Sequence, residues 1–352
     1  MKSILVTGGA GFIGVNFVKR LLDTDDAKRV VVLDALTYAG NGASLEGLPP
    51  DRMDFVHGDI RDQGLVEKLI RENEIKTIVH FAAESHVDRS IEGPDEFISA
   101  NVDGTHSLLK AARAIWLSGD GEPHRFHHVS TDEVYGSLAA GEPAFTEGHQ
   151  YQPNSPYSAS KAASDHLVRA YHHTFGLEVT TTNCSNNYGP FQFPEKLIPL
   201  MIVKILHGEP LPIYGDGMQI RDWLYVEDHC RAIEQCLMHG EPGEVYNIGG
   251  DNERPNIEIV HKICEILDEK VSANADLRVR FPNCPSTLGK SNLALMEHVT
   301  DRPGHDRRYA IDFRRAASDL GYSPNESFES GFAKTVDWYL DNILWWSSVM
   351  DG

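Results

Sequence analysis

Eight residues near the N-terminus restrict the fold more than any other feature: Thr7-Gly8-Gly9-Ala10-Gly11-Phe12-Ile13-Gly14 follows an apolar run directly and opens a helical segment. Each glycine has its own physical reason. Gly8 permits a tight turn, Gly11 lets the backbone approach a pyrophosphate, and Gly14 lets helix and sheet pack closely, with the helix N-terminus facing the anion. Such a turn also occurs without a ligand. Here Asp34 ends the second apolar run, where it can accept hydrogen bonds from a ribose diol, and a carboxylate there repels a 2'-phosphate. The expected cofactor is therefore NAD rather than NADP. Asp59-Ile60, after a third strand, is placed to hold an adenine, and Phe81-Ala82-Ala83-Glu84-Ser85, after a fourth, lies along the cofactor's phosphate and ribose path.

Apolar runs at 4–6, 30–33, 77–81, 126–130 and 179–183 alternate with helical patterns at 12–23, 62–72, 95–117 and 157–175, the last followed by Gly176 as a C-terminal stop. That rhythm predicts an α/β fold, a Rossmann-type doubly wound parallel sheet. After about residue 185 it breaks at Pro190, Pro194, Pro199, Pro210 and Pro212, and short strands at 211–214 and 222–226 sit between helices. A smaller α/β substrate-binding domain is expected there. The expected division is 1–185 for the NAD-binding domain, with 225–250 returning to it, and 186–224 with 251–352 for the second. Residues 269–298, weakly periodic and rich in Asn, Ser and Pro, read as a long surface loop or insertion.

With 52 acidic against 32 basic side chains the formal charge is -20, which repels phosphate backbones and anionic membranes but leaves room for a small anion in a cleft. No nucleic-acid partner is expected. No stretch approaches the roughly 20 apolar residues of a membrane span, and no signal segment precedes the first strand, so the sequence predicts a cytoplasmic protein. Five cysteines without a C-x-x-C pair predict reduced packing residues. No metal site is expected: His127-His128 point to opposite faces of a strand, and no carboxylate is spaced to join them or His172-His173.

Tyr157 and Lys161 lie four residues apart on one helix face. A nearby ammonium favours phenolate, so the expectation is a phenol with its pKa drawn down toward working pH, able to take a proton from a substrate hydroxyl. Such pairs are common on solvated helices; downstream of a dinucleotide motif this one predicts the catalytic pair of a hydride-transfer enzyme. Thr131, Asp132 and Glu133 end the fifth strand, where ligands bind in open α/β sheets. Adjacent acids at such a turn can be capping residues. One neutral and one ionised carboxyl can also move protons at different atoms of one substrate.

Several longer stretches carry a resemblance: Leu36-Thr37-Tyr38-Ala39-Gly40-Asn41, Glu84 to Ser90, Ser130 to Gly136, Asn183 to Pro190, Arg221-Asp222-Trp223 and Asp301 to Tyr309. Over nearly the whole chain apart from 269–298 and the last few residues, the sequence resembles extended short-chain dehydrogenase/reductases, and within them the dTDP-glucose 4,6-dehydratases. The resemblance implies a redox-neutral hydro-lyase. Tyr157, helped by Lys161 and Thr131, would oxidise the sugar at C4 with NAD, Glu133 would remove the C5 proton, and Asp132 would protonate the leaving C6 hydroxyl. It further implies NAD contacts from Phe12, Ile13, Ala35, Leu36, Thr37 and Asn187. Nucleotide-sugar contacts are implied for Ser85, Asn186, Lys196, Leu197, Pro212, Ile213, Tyr214, Arg221, Asn256, Arg302, His305 and Tyr309. Arg221 suits that role because its fork binds phosphate oxygens in pairs.

Two positions depart from the family pattern, Ala35 where lysine is frequent and Ala100 where threonine is frequent. The resemblance also implies a homodimer through a four-helix interface built from 95–117 and 157–175, with Phe97, Ile98, Leu108, Leu109 and Trp116 supplying apolar area. An NAD-dependent nucleotide-sugar 4-epimerase or decarboxylase of the same fold is the alternative. It would share Tyr157 and Lys161, but an epimerase has no need of Asp132 beside Glu133. A non-catalytic binding module would have no need of Thr131, Tyr157 and Lys161.

Overall fold

A computed structural model describes residues 3–23, 29–118, 121 and 123–350. Its strands, in chain order, are β1 (Ile4–Thr7), β2 (Val30–Asp34), β3 (Met53–His57), β4 (Thr77–His80), β5 (Arg125–Thr131), β6 (Val179–Cys184), β7 (Asn186–Tyr188), β8 (Leu211–Tyr214), β9 (Ile220–Tyr225), β10 (Val245–Ile248), β11 (Glu253–Pro255) and β12 (Met296–Val299). Helices are α1 (Phe12–Asp23), α2 (Gln63–Glu72), α3 (Val87–Glu92), α4 (Asp95–Phe97), α5 (Gly104–Trp116), α6 (Pro156–Phe175), α7 (Leu197–His207), α8 (Val226–His239), α9 (Asn256–Ala273), α10 (Ala275–Arg280), α11 (Arg314–Leu320), α12 (Phe328–Asp341) and α13 (Ile343–Met350). Among the described residues no helix is long and apolar enough to cross a membrane.

Seven strands pair in the order β10-β6-β5-β4-β1-β2-β3, every neighbouring pair parallel. The order reverses direction at β1, the switch point of a doubly wound sheet. β1 and β2 are buried at every residue, as strands covered on both faces must be. Alternate side chains serve opposite layers. Ile4, Val6, Val30 and Val32 pack under Phe17, Val18 and Leu21 of α1 and Ile233 of α8. Leu5, Val31 and Leu33 pack under Val66 of α2, Leu108 of α5 and Val168 of α6.

α6 has strong end signals. Ser155 and Ser158 form a reciprocal capping box, Pro156 fills the first turn, and Gly176 closes the helix at φ 76°. The segment expected as one helix over 95–117 is interrupted: Ile98–Asp103 is a π-helical turn between α4 and α5. Of the apolar residues expected to supply a dimer surface there, Phe97, Leu108, Leu109 and Trp116 are buried in the chain itself, and Ile98 alone faces outward. The sheet claims them first.

Beyond β6 the chain builds a second core in which Ile198, Met201 and Ile202 of α7 meet Ile259 and Ile263 of α9 and Phe332, Val336 and Tyr339 of α12. Residues 269–298 are not a surface loop. α9 runs to Ala273, Asn274 breaks it and caps α10 by accepting from the Asp276 and Leu277 amides, and β12 pairs in parallel with β8. Val271, Leu277, Phe281 and Cys284 are buried. Short elements interrupted by a cap have too few turns to show a period. All five cysteines are buried and free.

Trp116 ties α5 to the start of β4, donating from Nε1 to the Ile75 carbonyl at 2.9 Å and stacking on His124 at 4.9 Å. Trp116→Ala should lower unfolding stability by about 3–5 kcal/mol in urea titrations, the usual cost of emptying a large aromatic site.

Candidate functional site

β1, β2, β4, β5 and β6 all end on one edge of the sheet, and a cleft of about 330 Å³ opens there. Its walls take Gly8, Gly11, Phe12, Ile13 and Gly14 from the first turn, Asp34, Ala35 and Thr37 after β2, and Asp59 and Ile60 after β3. Phe81, Ala82, Ala83 and Ser85 after β4, Thr131, Asp132, Glu133, Tyr157 and Lys161 around β5 and α6, and Asn186, Asn187 and Lys196 complete it.

The first turn leaves no room for side chains. A Cβ on Gly14 would sit 2.1 Å from the Gly8 carbonyl oxygen, and one on Gly8, which has φ +70°, would sit 2.5 Å from the Ala82 nitrogen. Backbone amides at the head of α1 are thereby left bare toward the cleft. Asp34 accepts from the Ala10 amide at 2.9 Å and the Leu36 amide at 2.8 Å, which fixes its carboxyl at the end of β2. Leu36 takes φ 49° to make that bond and stands outside the cleft wall. These features fit a dinucleotide: a bare pyrophosphate cradle and a fixed ribose acceptor.

Chemistry gathers where β5 ends. Thr131 caps a short 3-10 turn, Asp132–Tyr135, and accepts from the Glu133 amide at 3.3 Å, so both acids leave the first turn together. Asp132 is 1% exposed and its Oδ2 has no hydrogen-bond partner. Burial, then the neighbouring Glu133 charge, raises its pKa well above the ordinary carboxylate range and so favours its protonated form. Glu133 is also pushed up by burial, but Arg221, Arg302 and Lys196 pull it back toward the ionised form. The two acids therefore occupy different environments.

Lys161 donates from Nζ to the Val129 carbonyl at 2.8 Å, and Tyr157 shares a hydrogen bond with Thr131. The expected depression of the Tyr157 phenol is not found. Burial, then Glu133, holds it well above 10, and the Thr131 hydrogen bond is what works in the other direction. Lys161 is itself pulled down by burial, with Asp165 the main group supporting its charge. Desolvation is the largest influence on each group, and neither is among the main influences on the other.

Of the implied substrate residues, Ser85, Asn186 and Lys196 line this cleft, and Arg221 and Arg302 act on Glu133 from outside its wall. Arg221 is 5% exposed, donates to the Ile220 and Asp306 carbonyls at 2.7 and 3.0 Å, and covers the Tyr309 ring at 4.2 Å. Lys196 holds the Ser85 carbonyl at 2.8 Å, and Arg302 holds Asp88 at 3.0 Å with its own Nε unpartnered. Asn186 and Asn256 each keep a buried amide oxygen without a partner. His305 pairs with Asp301 at 2.6 Å under the edge of Tyr214. Ile213 is buried and Leu197 packs against the second core, while Pro212 sits between Leu211 and Ile213 in β8. Their side chains serve packing.

Two buried residues at the site escape sequence reasoning. Asn101, in the π-helical turn, bonds both the amide and carbonyl of Glu84 at 2.8 and 2.9 Å and reaches Ser160 at 2.8 Å. Asp165 accepts from Ser130 at 2.8 Å. No local motif announces either; each acts through residues distant in the chain. Among the described residues no group of three or more His, Cys, Asp or Glu is placed to hold a metal ion.

Residues 5–335 match the family described as GDP-mannose 4,6 dehydratase. A dTDP-glucose 4,6-dehydratase of Xanthomonas campestris pv. campestris is 56% identical, the match covering 100% of this chain and 97% of that one. Among solved structures, the dTDP-glucose 4,6-dehydratase DesIV of Streptomyces venezuelae, crystallised with NAD, superposes with TM-score 0.87 at 46% identity over 99% of both chains. The UDP-glucose 4-epimerase of Thermus thermophilus, also with NAD, reaches TM-score 0.81 at 28% identity over 97% of this chain and 99% of that one.

Because the pKa of folded Asp132 lies above that of an unfolded aspartate, its favourable contribution to stability is complete below about pH 4 and is lost as pH rises through the raised value. Asp132→Asn should therefore gain thermal stability relative to the parent between about pH 5 and 8. Coincident melting-versus-pH curves would show that Asp132 is an ordinary ionised carboxylate.

Proposed function

This chain belongs to the GDP-mannose 4,6 dehydratase family, and on that premise we propose that it is an NAD-dependent hydro-lyase converting dTDP-glucose to dTDP-4-keto-6-deoxyglucose and water. The observation that carries the reading is the gathering of Asp132, Glu133, Tyr157 and Lys161 in one cleft wall, with burial favouring the protonated form of Asp132 and nearby cations favouring the ionised form of Glu133. NAD bound along the first-turn cradle and Asp34 supplies a reversible hydride acceptor.

Tyr157 takes the proton of the sugar 4-hydroxyl, oriented by Thr131 and supported by the Lys161 ammonium. The resulting ketone acidifies the hydrogen at C5. Glu133 removes that proton, and Asp132 delivers its own to the C6 hydroxyl, which leaves as water. The C5–C6 alkene left behind takes the C4 hydride back at C6 from the reduced cofactor held in the cradle, with a proton returned to C5, so that no net oxidation remains. One carbon separates the two sites of action, so acids at consecutive positions of one turn can serve a ring held in one pose. Arg221, Lys196 and Arg302 bind the diphosphate, gathering positive charge locally on a chain of formal charge -20. Cofactor contacts come from Phe12, Ile13, Thr37, Asp59, Ile60 and Asn187.

The reading extends to organisation. Residues 1–185 with 225–250 form the NAD-binding unit and the remainder holds the sugar nucleotide. The protein is cytoplasmic and pairs as a homodimer through the outward faces of α5 and α6, near the exposed Ile91, Ile98 and Phe175.

Purified protein should convert dTDP-glucose, without added NAD, to a product with the alkali-induced absorbance of a 4-keto sugar; dTDP-galactose as product instead would establish the epimerase alternative. Glu133→Gln should still reduce bound NAD on adding substrate but stall elimination by about two orders of magnitude or more, the usual worth of a positioned base. Solvent deuterium entering C5 at the parental rate in that variant would remove Glu133 from its role.

A further inference from the structure

We infer that Asp165 is a positioning residue for the oxidation step: its carboxylate is the buried counter-charge that keeps Lys161 an ammonium beside Tyr157. The inference rests on the proposed function only in taking Tyr157 and Lys161 as the oxidising pair.

Tyr157, Lys161 and Asp165 succeed one another at four-residue spacing, one stripe of α6 turned toward β5. All three are buried, Lys161 at 5% and Asp165 at 6% exposure. Lys161 spends one donor on the Val129 carbonyl, which is neutral and compensates no charge. Asp165 is the main influence raising the proton affinity of Lys161, and Lys161 is the main influence holding Asp165 ionised. The two make no direct ion pair. Lys161 bonds Val129 while Asp165 bonds the flanking residues Ser130 and His128 of the same strand, so the charges support each other across one helical turn.

The carboxylate is clamped from several elements. Ser130 donates from Oγ to Oδ2 at 2.8 Å, His128 from Nε2 to Oδ1 at 3.1 Å, and the Tyr151 phenol donates as well. The Tyr151 oxygen accepts from Asn183 Nδ2 at 3.1 Å, and the same nitrogen reaches the Tyr135 hydroxyl at 2.9 Å, which donates to Asn247 Oδ1 at 2.9 Å. The clamp thus spans β5, β6 and β10. The ionisable groups facing Asp165 are Lys161 and His166 on α6, His128 on β5, Tyr151 before the helix and Tyr135 in the 3-10 turn; His80 on β4 stands behind His128 at 5.3 Å. His128 and His80 are fully buried and held neutral. Lys161 is the cation this carboxylate can serve. Burial pushes the Asp165 carboxyl up to about 6 even with three donors, so its charge titrates just below neutrality.

Rates across pH test this, read on the oxidation half alone as reduction of bound nicotinamide on adding substrate, so that a failed dehydration leaves the test intact. Asp165→Asn should lose the support of Lys161: oxidation falls about tenfold or more at neutral pH, KM stays within about twofold, and the alkaline limb moves down by about one unit or more. Tyr151→Phe removes one donor without touching the cleft and should move the acid limb upward by about half a unit at unchanged KM. A pH profile coincident with the parent in either variant overturns the inference, including a rate loss in Asp165→Asn with both limbs in place. Should Asp165→Asn not fold, the acid limb of Tyr151→Phe decides alone. Wild-type protein that reduces its nicotinamide yet yields no keto sugar would count against the dehydratase reading only.

Discussion

The hydrogen bond from Lys161 to the Val129 carbonyl joins the helix that carries the phenol to the strand that carries the hydroxyl and the two acids. That strand end is also the edge of the parallel sheet, so a single contact sets two sets of reactive groups against each other. An ammonium cannot be kept 5% exposed by one neutral acceptor. Its retention draws in Asp165, and Asp165 draws in Ser130, His128 and Tyr151. The strands beside the site share that polarity, with His127, His128, Ser130, Thr180, Thr182 and Asn183 all buried.

What could be read from the chain alone was whatever is local. The glycine turn, the acid closing β2, the capping of α6 and the acids after β5 each depend on neighbours within a few residues, and each has a physical signature at that range. Packing competition is not local. Leu108, Leu109 and Trp116 have the pattern of an interface, yet the sheet buries them, and only Ile98 among the expected set faces outward. Residues 269–298 failed for a related reason. Their helices are one to two turns long, and a pattern shorter than its own period cannot declare itself.

Ionisation was the other limit. Spacing placed Tyr157 and Lys161 on one face correctly, but the sign of the phenol's shift depends on how much water reaches it. Burial raises Tyr157 and lowers Lys161, each away from its charged form, and is the largest influence on both. For the acids the spacing argument did better because it needed only a difference between them. Asp132 is buried in the cleft wall with an unpartnered oxygen, while Glu133 is influenced chiefly by Arg221, Arg302 and Lys196.

That difference also locates where the chemistry of this fold diverges. An epimerase at 28% identity shares the architecture over 97% of this chain, so neither the sheet nor the dinucleotide cradle can decide between exchanging a hydroxyl's configuration and expelling a neighbouring one. Both reactions begin with the same oxidation at C4 and can use the same phenol and ammonium. Elimination adds a demand for one group able to accept a proton and another able to give one, a carbon apart, at the same pH. Mutual repulsion already separates the titration of two neighbouring carboxyls; unequal surroundings decide which of them keeps the proton. After β5 the two differ in that Asp132 keeps an unpartnered buried oxygen, while Glu133 has Arg221, Arg302 and Lys196 as its main charged influences. On the proposed roles, the capacity to dehydrate resides in how differently consecutive residues of one short turn are solvated and charged.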